Sequence, residues 1–363
     1  MITFNDYIYK IGKQCISELN AQGFFSPGHN GPYKDPETPV RNTAHRLYLF
    51  SKLAHLTKEK LFIEAANKTC DYLCSSSARP KKTIFYCRNN PKKDISNGLI
   101  GQAWAMEGLI AAAKFLNRSD ALNIAKECFY LHSWNDDHAL WYRVDINGLP
   151  LTFDRTFNHQ LWFAAISSQI EDNEIKRRGK KFLDNIGQNV QIYENGVIFH
   201  QSRLGEFSSQ FKKISFLSFK NLYFEFLRKN SKKKNYLKSV GYHSFNLYAF
   251  AILKKIFSNH SFWSSSKFKK MLNVTKSKNF LESLNASNFS WAYNPPGIEF
   301  AFVGEVFDMG IEYIQSWISL QYDKTFNFDT NDLLTKNVPD PLTSAARIYE
   351  ALRLEGNYKL LKI

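Results

Sequence analysis

No window of this 363-residue chain approaches 18 uninterrupted apolar residues, which excludes a membrane-spanning helix. The opening "MITFNDYIYKIGKQCISELN" lacks the basic start, apolar stretch and small-residue cleavage site of a secretory leader, so a cytoplasmic location is expected. Cysteine is scarce and odd in number: Cys15, Cys70, Cys74, Cys87 and Cys128 cannot all pair, as expected in a reducing compartment. Cys70 and Cys74 lie one helical turn apart with Cys87 beyond, but no fourth zinc ligand follows. Helix packing is therefore the reading of these cysteines, and no metal or other cofactor is expected. Strand signals are also few.

Acidic residues are in deficit, 33 against 48 Lys and Arg, giving a net charge of +15. That excess selects an anionic partner, for which an acidic oligosaccharide or polysaccharide is the candidate. Nucleic acid is not expected, because no recognised binding module accompanies the charge. Between Lys212 and Lys238 nine basic residues face one acid, Glu225. The stretch "FKKISFLSFKNLYFEFLRKNSKKK" interleaves aromatics with lysines, as an interfacial helix does. It reads either as a solvated insertion at about 200–238 or as a contact with an anionic membrane surface.

A hydrophobic fraction of 44% and an aromatic fraction of 15% suffice for a large core, and apolar residues recur at three- and four-residue spacing. Two kinds of helix alternate. One is charged on one face, as in "KEKLFIEAANKTCDYL", "DNEIKRRGKKFLDNI" and "SKFKKMLNVTKSKNFLESL". The other is apolar nearly all round, as in "PVRNTAHRLYLFSKLA", "NGLIGQAWAMEGLIAAAKFL", "NHQLWFAAISSQI", "GYHSFNLYAFAILKKI", "PGIEFAFVGEVF" and "PLTSAARIYEALRL". Helices that are dry on every side must be enclosed by others. The dry helices begin near 40, 97, 157, 240, 297 and 340, and only the third interval, which holds the basic segment, exceeds a helix pair with loops. The expected fold is a single all-α domain over 1–363, an (α/α)6 toroid of six helical hairpins with dry helices inside. Turns at Asn147-Gly148 and Asn195-Gly196 between short apolar runs predict small β-hairpins on one rim.

Polar groups gather where the dry helices start. They include Arg41 and His45 on the first, Asp94 and Gln102 on the second, and Asp154, Asn158, His159 and Gln160 on the third, with Trp162 following. The fourth contributes Tyr242 and His243, and the fifth Glu299. Helix capping accounts for any one Asp or Asn. In a toroid, however, all inner N-termini point to one rim, and caps do not require histidine. Two reactions fit the set. Glycoside hydrolysis uses two carboxyl groups across the sugar, for which Asp94 and Asp154 are the pair. β-Elimination of a uronate needs a group to offset the carboxylate and others to move protons, which Asn158, His159, Tyr242, His243 and an arginine supply.

The segments "NGPYKDPETPVRNTAHRLYLF", "NGLIGQAWAMEGLI" and "GYHSFNLYAFA" resemble those of (α/α)6 glycan-active enzymes, nearest the unsaturated glucuronyl hydrolases of glycoside hydrolase family 88 and related proteins of surface-polysaccharide gene clusters. The resemblance spans the first four inner helices. It implies a glycosidase with Asp154 as acid/base, Asp94 in support, and His159, Gln160 and Trp162 as substrate contacts. "NHQLWFAA" is similar to the Asn-His helix of helical-toroid alginate lyases, which implies neutralisation by Asn158, proton removal by His159 and Tyr242 as acid. A toroidal sugar epimerase using His159 and His243 is a further alternative, and a non-catalytic glycan-binding module is another. Lanthionine cyclases need a Cys/Cys/His zinc set and terpene cyclases Asp-rich runs, and neither is evident.

Overall fold

The computed structural model describes residues 3–200 and 232–360. The expected insertion therefore lies largely outside the described residues. The helices are α1 (Phe4–Ile16), α2 (Val40–Thr57), α3 (Lys60–Cys74), α4 (Gly98–Leu116), α5 (Ser119–Leu131), α6 (Phe157–Ser167) and α7 (Asn173–Asp184). They continue with α8 (Ile186–Asn189), α9 (His243–Ile256), α10 (Ser266–Asn273), α11 (Lys278–Asn285), α12 (Pro296–Val306), α13 (Ile311–Thr325) and α14 (Pro341–Ala346), which runs on as a 3-10 helix over Arg347–Arg353. A further helical stretch, 232–241, leads into α9.

Six inner elements close a ring. α2 packs on α4, α4 on α6, α6 on α9, α9 on α12, α12 on the 3-10 continuation of α14, and that on α2. Each starts within three residues of its expected position. α4 and α12 are buried on nearly every side, which is why neither shows an apolar stripe. Small residues allow the close approach: a Cβ on Gly108 of α4 would stand 2.6 Å from the Ala44 carbonyl oxygen of α2. The outer helices keep one wet face. α7 is started by Asp172, whose carboxylate accepts from the Glu174 and Ile175 amides at 3.1 and 3.2 Å. Among the described residues no helix is long and apolar enough to cross a membrane.

Two elements depart from expectation. "SKFKKMLNVTKSKNFLESL" forms two short helices, α10 and α11, because Ser277 restarts the helix by accepting from the Phe280 amide at 3.2 Å. The Asn147-Gly148 region is a three-stranded antiparallel meander rather than a lone hairpin: β1 (Trp134–Asn135), β2 (Leu140–Val144) and β3 (Pro150–Phe153). The Asn195-Gly196 turn forms as expected, with Ile192 bridged to Ile198. Both decorations stand at the rim where the inner helices begin.

Ion pairs tie the ring together inside. Glu107 of α4 accepts from Arg353 Nη2 and Tyr349 Oη, both at 2.7 Å, joining the second inner helix to the sixth. Arg347 reaches Glu299 of α12 at 2.6 Å and Glu350 at 2.7 Å. The chain ends meet on the outside: Phe4 N–H donates to the Tyr358 carbonyl at 2.8 Å, and Thr3 is bridged to Lys359.

Candidate active site

The loops before the inner helices frame a cavity of about 180 Å³ whose lining includes Arg41, Asn97, Trp104, Asn158, His159 and Tyr242. His200, Lys238, Tyr33, Tyr293, Asn294 and Arg347 also line it. No Asp or Glu is among the lining residues described.

Its chemical centre is at the start of α6. Asp154 is 5% exposed, and its Oδ2 accepts from His159 Nδ1 at 2.7 Å and from the Leu99 amide at 3.0 Å. Oδ1 accepts from the Thr156 amide at 3.1 Å. Burial alone would raise this carboxyl, but His159 and the backbone donors hold it below its ordinary value, so it is ionised. An ionised Asp154 keeps the proton on Nδ1 of His159 and leaves Nε2 as the atom able to take or give one. Gly98 makes the approach possible: it stands at φ +60°, and a Cβ there would lie 2.2 Å from Asp154 Oδ2.

A second histidine shares the cavity. His200 is pinned by its backbone, its amide donating to Ser239 Oγ and its carbonyl accepting from the Phe157 amide, each at 3.2 Å. Its ring lies 4.5 Å from that of Tyr242, and its Nδ1 is buried without a partner. Burial, then Lys238 and His159, hold it well below the usual imidazole range, so it is a neutral base. Tyr242 is the opposite case: burial, with Tyr33 and Tyr293 beside it, pushes its hydroxyl well up and keeps it a donor. That hydroxyl is 2.8 Å from Tyr33 Oη.

The cationic wall is mostly neutralised within the protein. Arg41 lies over Trp104 at 3.9 Å and pairs with Glu37 at 3.2 Å, while Arg88 pairs with Asp35 at 2.9 Å. Lys238 is different: it stands 5.1 Å over the Tyr33 ring, burial lowers its pKa, and no described carboxylate pairs with it. Asn158 Oδ1 is likewise buried without a partner.

The other expected site residues are elsewhere. Asp94 organises the turn before α4, accepting from the Ser96 amide at 3.0 Å, the Gly98 amide at 3.2 Å and Arg143 at 3.4 Å. It does not line the cavity. Gln102 bridges the backbone of Phe85 and Ser96, and Gln160 that of Trp141. Trp162 is fully buried, stacked on Phe245 at 4.3 Å with its Nε1 donating to the Phe245 carbonyl at 3.0 Å. His243 is turned from the cavity and held between the Ile198 amide and the Met271 carbonyl. His45 is buried beside Trp104 and stacked on Tyr349 at 4.6 Å, and Glu299 is engaged by Arg347 and Ser244. The expected histidine partner of His159, His243, is thus replaced in the cavity by His200. The sequence signal for His200 was its place just after the Asn195-Gly196 turn, on the rim where the inner helices begin.

Fold and cavity define the class, an (α/α)6 toroid with an Asp–His dyad in its polar mouth. The chain is 40% identical over 365 residues to archaeal glycosylation protein Q of Haloferax volcanii, covering 98% of each, and it belongs to that protein's family. Solved structures of sugar-active enzymes share the fold. Cellobiose 2-epimerase from Bacillus thermoamylovorans matches with a TM-score of 0.63 at 12% identity, over 96% of this chain and 98% of that one. An α-1,6-mannanase of Salegentibacter matches with a TM-score of 0.58 at 10% identity, over the same shares. No protein-family model matches the chain.

Proposed function

We propose that the protein is a glycan-active enzyme that moves a proton on a uronic-acid residue, interconverting epimers or isomers. The observation that carries this reading is His159, held by Asp154 behind it, sharing one cavity with the neutral base His200 and with Lys238, with which no described carboxylate pairs. Proton transfer next to a carbonyl or carboxylate needs one group to remove the proton and another to return it, and two imidazoles suit neutral pH. Lys238 supplies the charge for a carboxylate, and Trp104, Tyr33 and Tyr293 give surfaces for a sugar ring. The relative's name, a glycosylation protein, and the sugar-active enzymes sharing the fold support the substrate class.

β-Elimination is the second reading, because Asn158, His159 and Tyr242 line the same cavity and Asn158 Oδ1 lacks a partner. The glucuronyl hydrolase reading is supported less. It needs Asp154 as the proton donor to substrate, and that carboxylate is already held by His159 and two amides.

Uronyl saccharides incubated in deuterated water separate the readings. Exchange at carbon with a new epimer is the expected result. New ultraviolet absorbance marks elimination, loss of the absorbance of an unsaturated uronyl disaccharide marks hydrolysis, and binding without change marks a non-catalytic module. His159→Asn and His200→Asn are each expected to lower exchange by about 10²- to 10⁴-fold. Full activity in either would overturn the assignment.

A further inference from the structure

The rim opposite the candidate site, where the inner helices end, holds a wider cavity of about 1100 Å³. Its walls combine polar side chains with an apolar part that includes Leu53, Ile110, Phe115, Ile252, Phe302 and Leu354, and Leu56 at its edge is 58% exposed. Five cations line it, Lys52, Lys114, Lys176, Lys255 and Arg353, against two acids, Glu171 and Glu355.

Three of the five are accounted for. Lys176 pairs with Glu171, Lys255 with Glu355, and Arg353 with the buried Glu107. Lys52 and Lys114 have no carboxylate among the described residues. Both stand over one ring, that of Phe115, at 5.0 and 5.5 Å. Burial and the neighbouring Lys114, Lys255 and Arg353 lower the pKa of Lys52, against only Glu355, and His55 beside them is lowered too. Helix-end electrostatics explain Lys114, in the last turn of α4. They do not explain Lys52, which lies more than a turn before the end of α2 at Thr57. Two like charges gathered at the mouth of a partly apolar basin are stabilised by an anion that brings its own apolar surface.

We propose that this basin binds a single anionic lipid, its phosphate between Lys52 and Lys114 and its hydrocarbon chain against Phe115, Ile252 and Phe302. Charge complementarity selects the head, and the apolar part of the wall selects the tail. The site is separate from the sugar cavity and shares no residue with it.

The test is calorimetric titration of the full-length protein with a short-chain phosphatidic acid below its micelle concentration. Phosphatidylcholine of equal chain length and inorganic phosphate are the two comparison probes. One saturable site for phosphatidic acid is expected, with phosphatidylcholine and inorganic phosphate each at least about tenfold weaker. Lys52→Met with Lys114→Met should weaken phosphatidic acid at least about tenfold. Leu56→Asp, at an exposed position, should weaken it while leaving inorganic phosphate unchanged. Lys232→Met with Lys233→Met should have no effect, which separates the site from general attraction to a basic chain. Circular dichroism melting confirms that each variant folds. Absence of binding, equal binding of inorganic phosphate, or full binding by the Lys52/Lys114 variant would overturn the proposal.

Discussion

At the residue scale, Asp154 and His159 divide one task. Asp154 is enclosed by donors and fixes the ring through Nδ1, while His159 lines the cavity. Asp154→Asn should preserve the fold and lower turnover about 10²- to 10⁴-fold, because an amide no longer holds the proton on Nδ1. A melting curve with a turnover assay checks both halves. Two other histidines set an acid limit on stability. Burial pushes His132 and His243 down to about 4, partly offset by the carbonyls of Tyr142 and Met271. Their unfolded values are near 6.5, so below that pH the unfolded chain binds more protons. The stability present at pH 7 is then lost as pH falls from about 6.5 to about 4, by about 3 kcal/mol for each. Urea midpoints should drop steeply between about pH 6.5 and pH 4.5, and His243→Gln should flatten that slope.

At the scale of elements, the start of an inner helix does two jobs, and the sequence shows only that one is being done. Asp94 builds a turn, as does Asp340 at the start of the sixth inner helix, which gathers the His29, Gly31 and Thr343 amides at 2.8, 3.0 and 3.2 Å. Asp154 also binds amides, yet its histidine neighbour faces the cavity. Helical spacing puts Trp162 one turn below Asn158, but spacing carries no information about depth, and Trp162 lies in the core. Six starts and two rim decorations were legible because burial on all sides and turn residues are local signals. The Asn195-Gly196 turn puts His200 near the rim, but the meeting of His200 and Lys238 with His159 in one cavity was not legible, because it depends on how the third and fourth hairpins dock. The junction of α4 with Asp154 gives a prediction at this scale. Gly98→Ala should lose about 1–3 kcal/mol through its positive φ and the displaced carboxylate, and should lose turnover as well. Denaturation and kinetics on the same preparation would show both losses or refute the coupling.

At the scale of the whole molecule, a buried ion pair ties the last inner element to the second. Glu107 is 2% exposed and holds Arg353 and Tyr349 from the last inner element. Glu107→Ala strands a buried guanidinium and should cost about 3–5 kcal/mol. Chemical denaturation measures that loss, and a change within about 0.5 kcal/mol, as at an ordinary surface site, would refute this tying role.

Because Phe4 pairs with Tyr358 and Thr3 with Lys359, the ring has no privileged beginning. The covalent order of the hairpins is one of several that would trace the same circle. A gene rearranged to start at Glu59, after the left-handed Lys58 that ends α2, with a short linker joining the old ends, should fold to the same toroid. The seam through which such a chain is cut can be moved around the wall without touching the mouth.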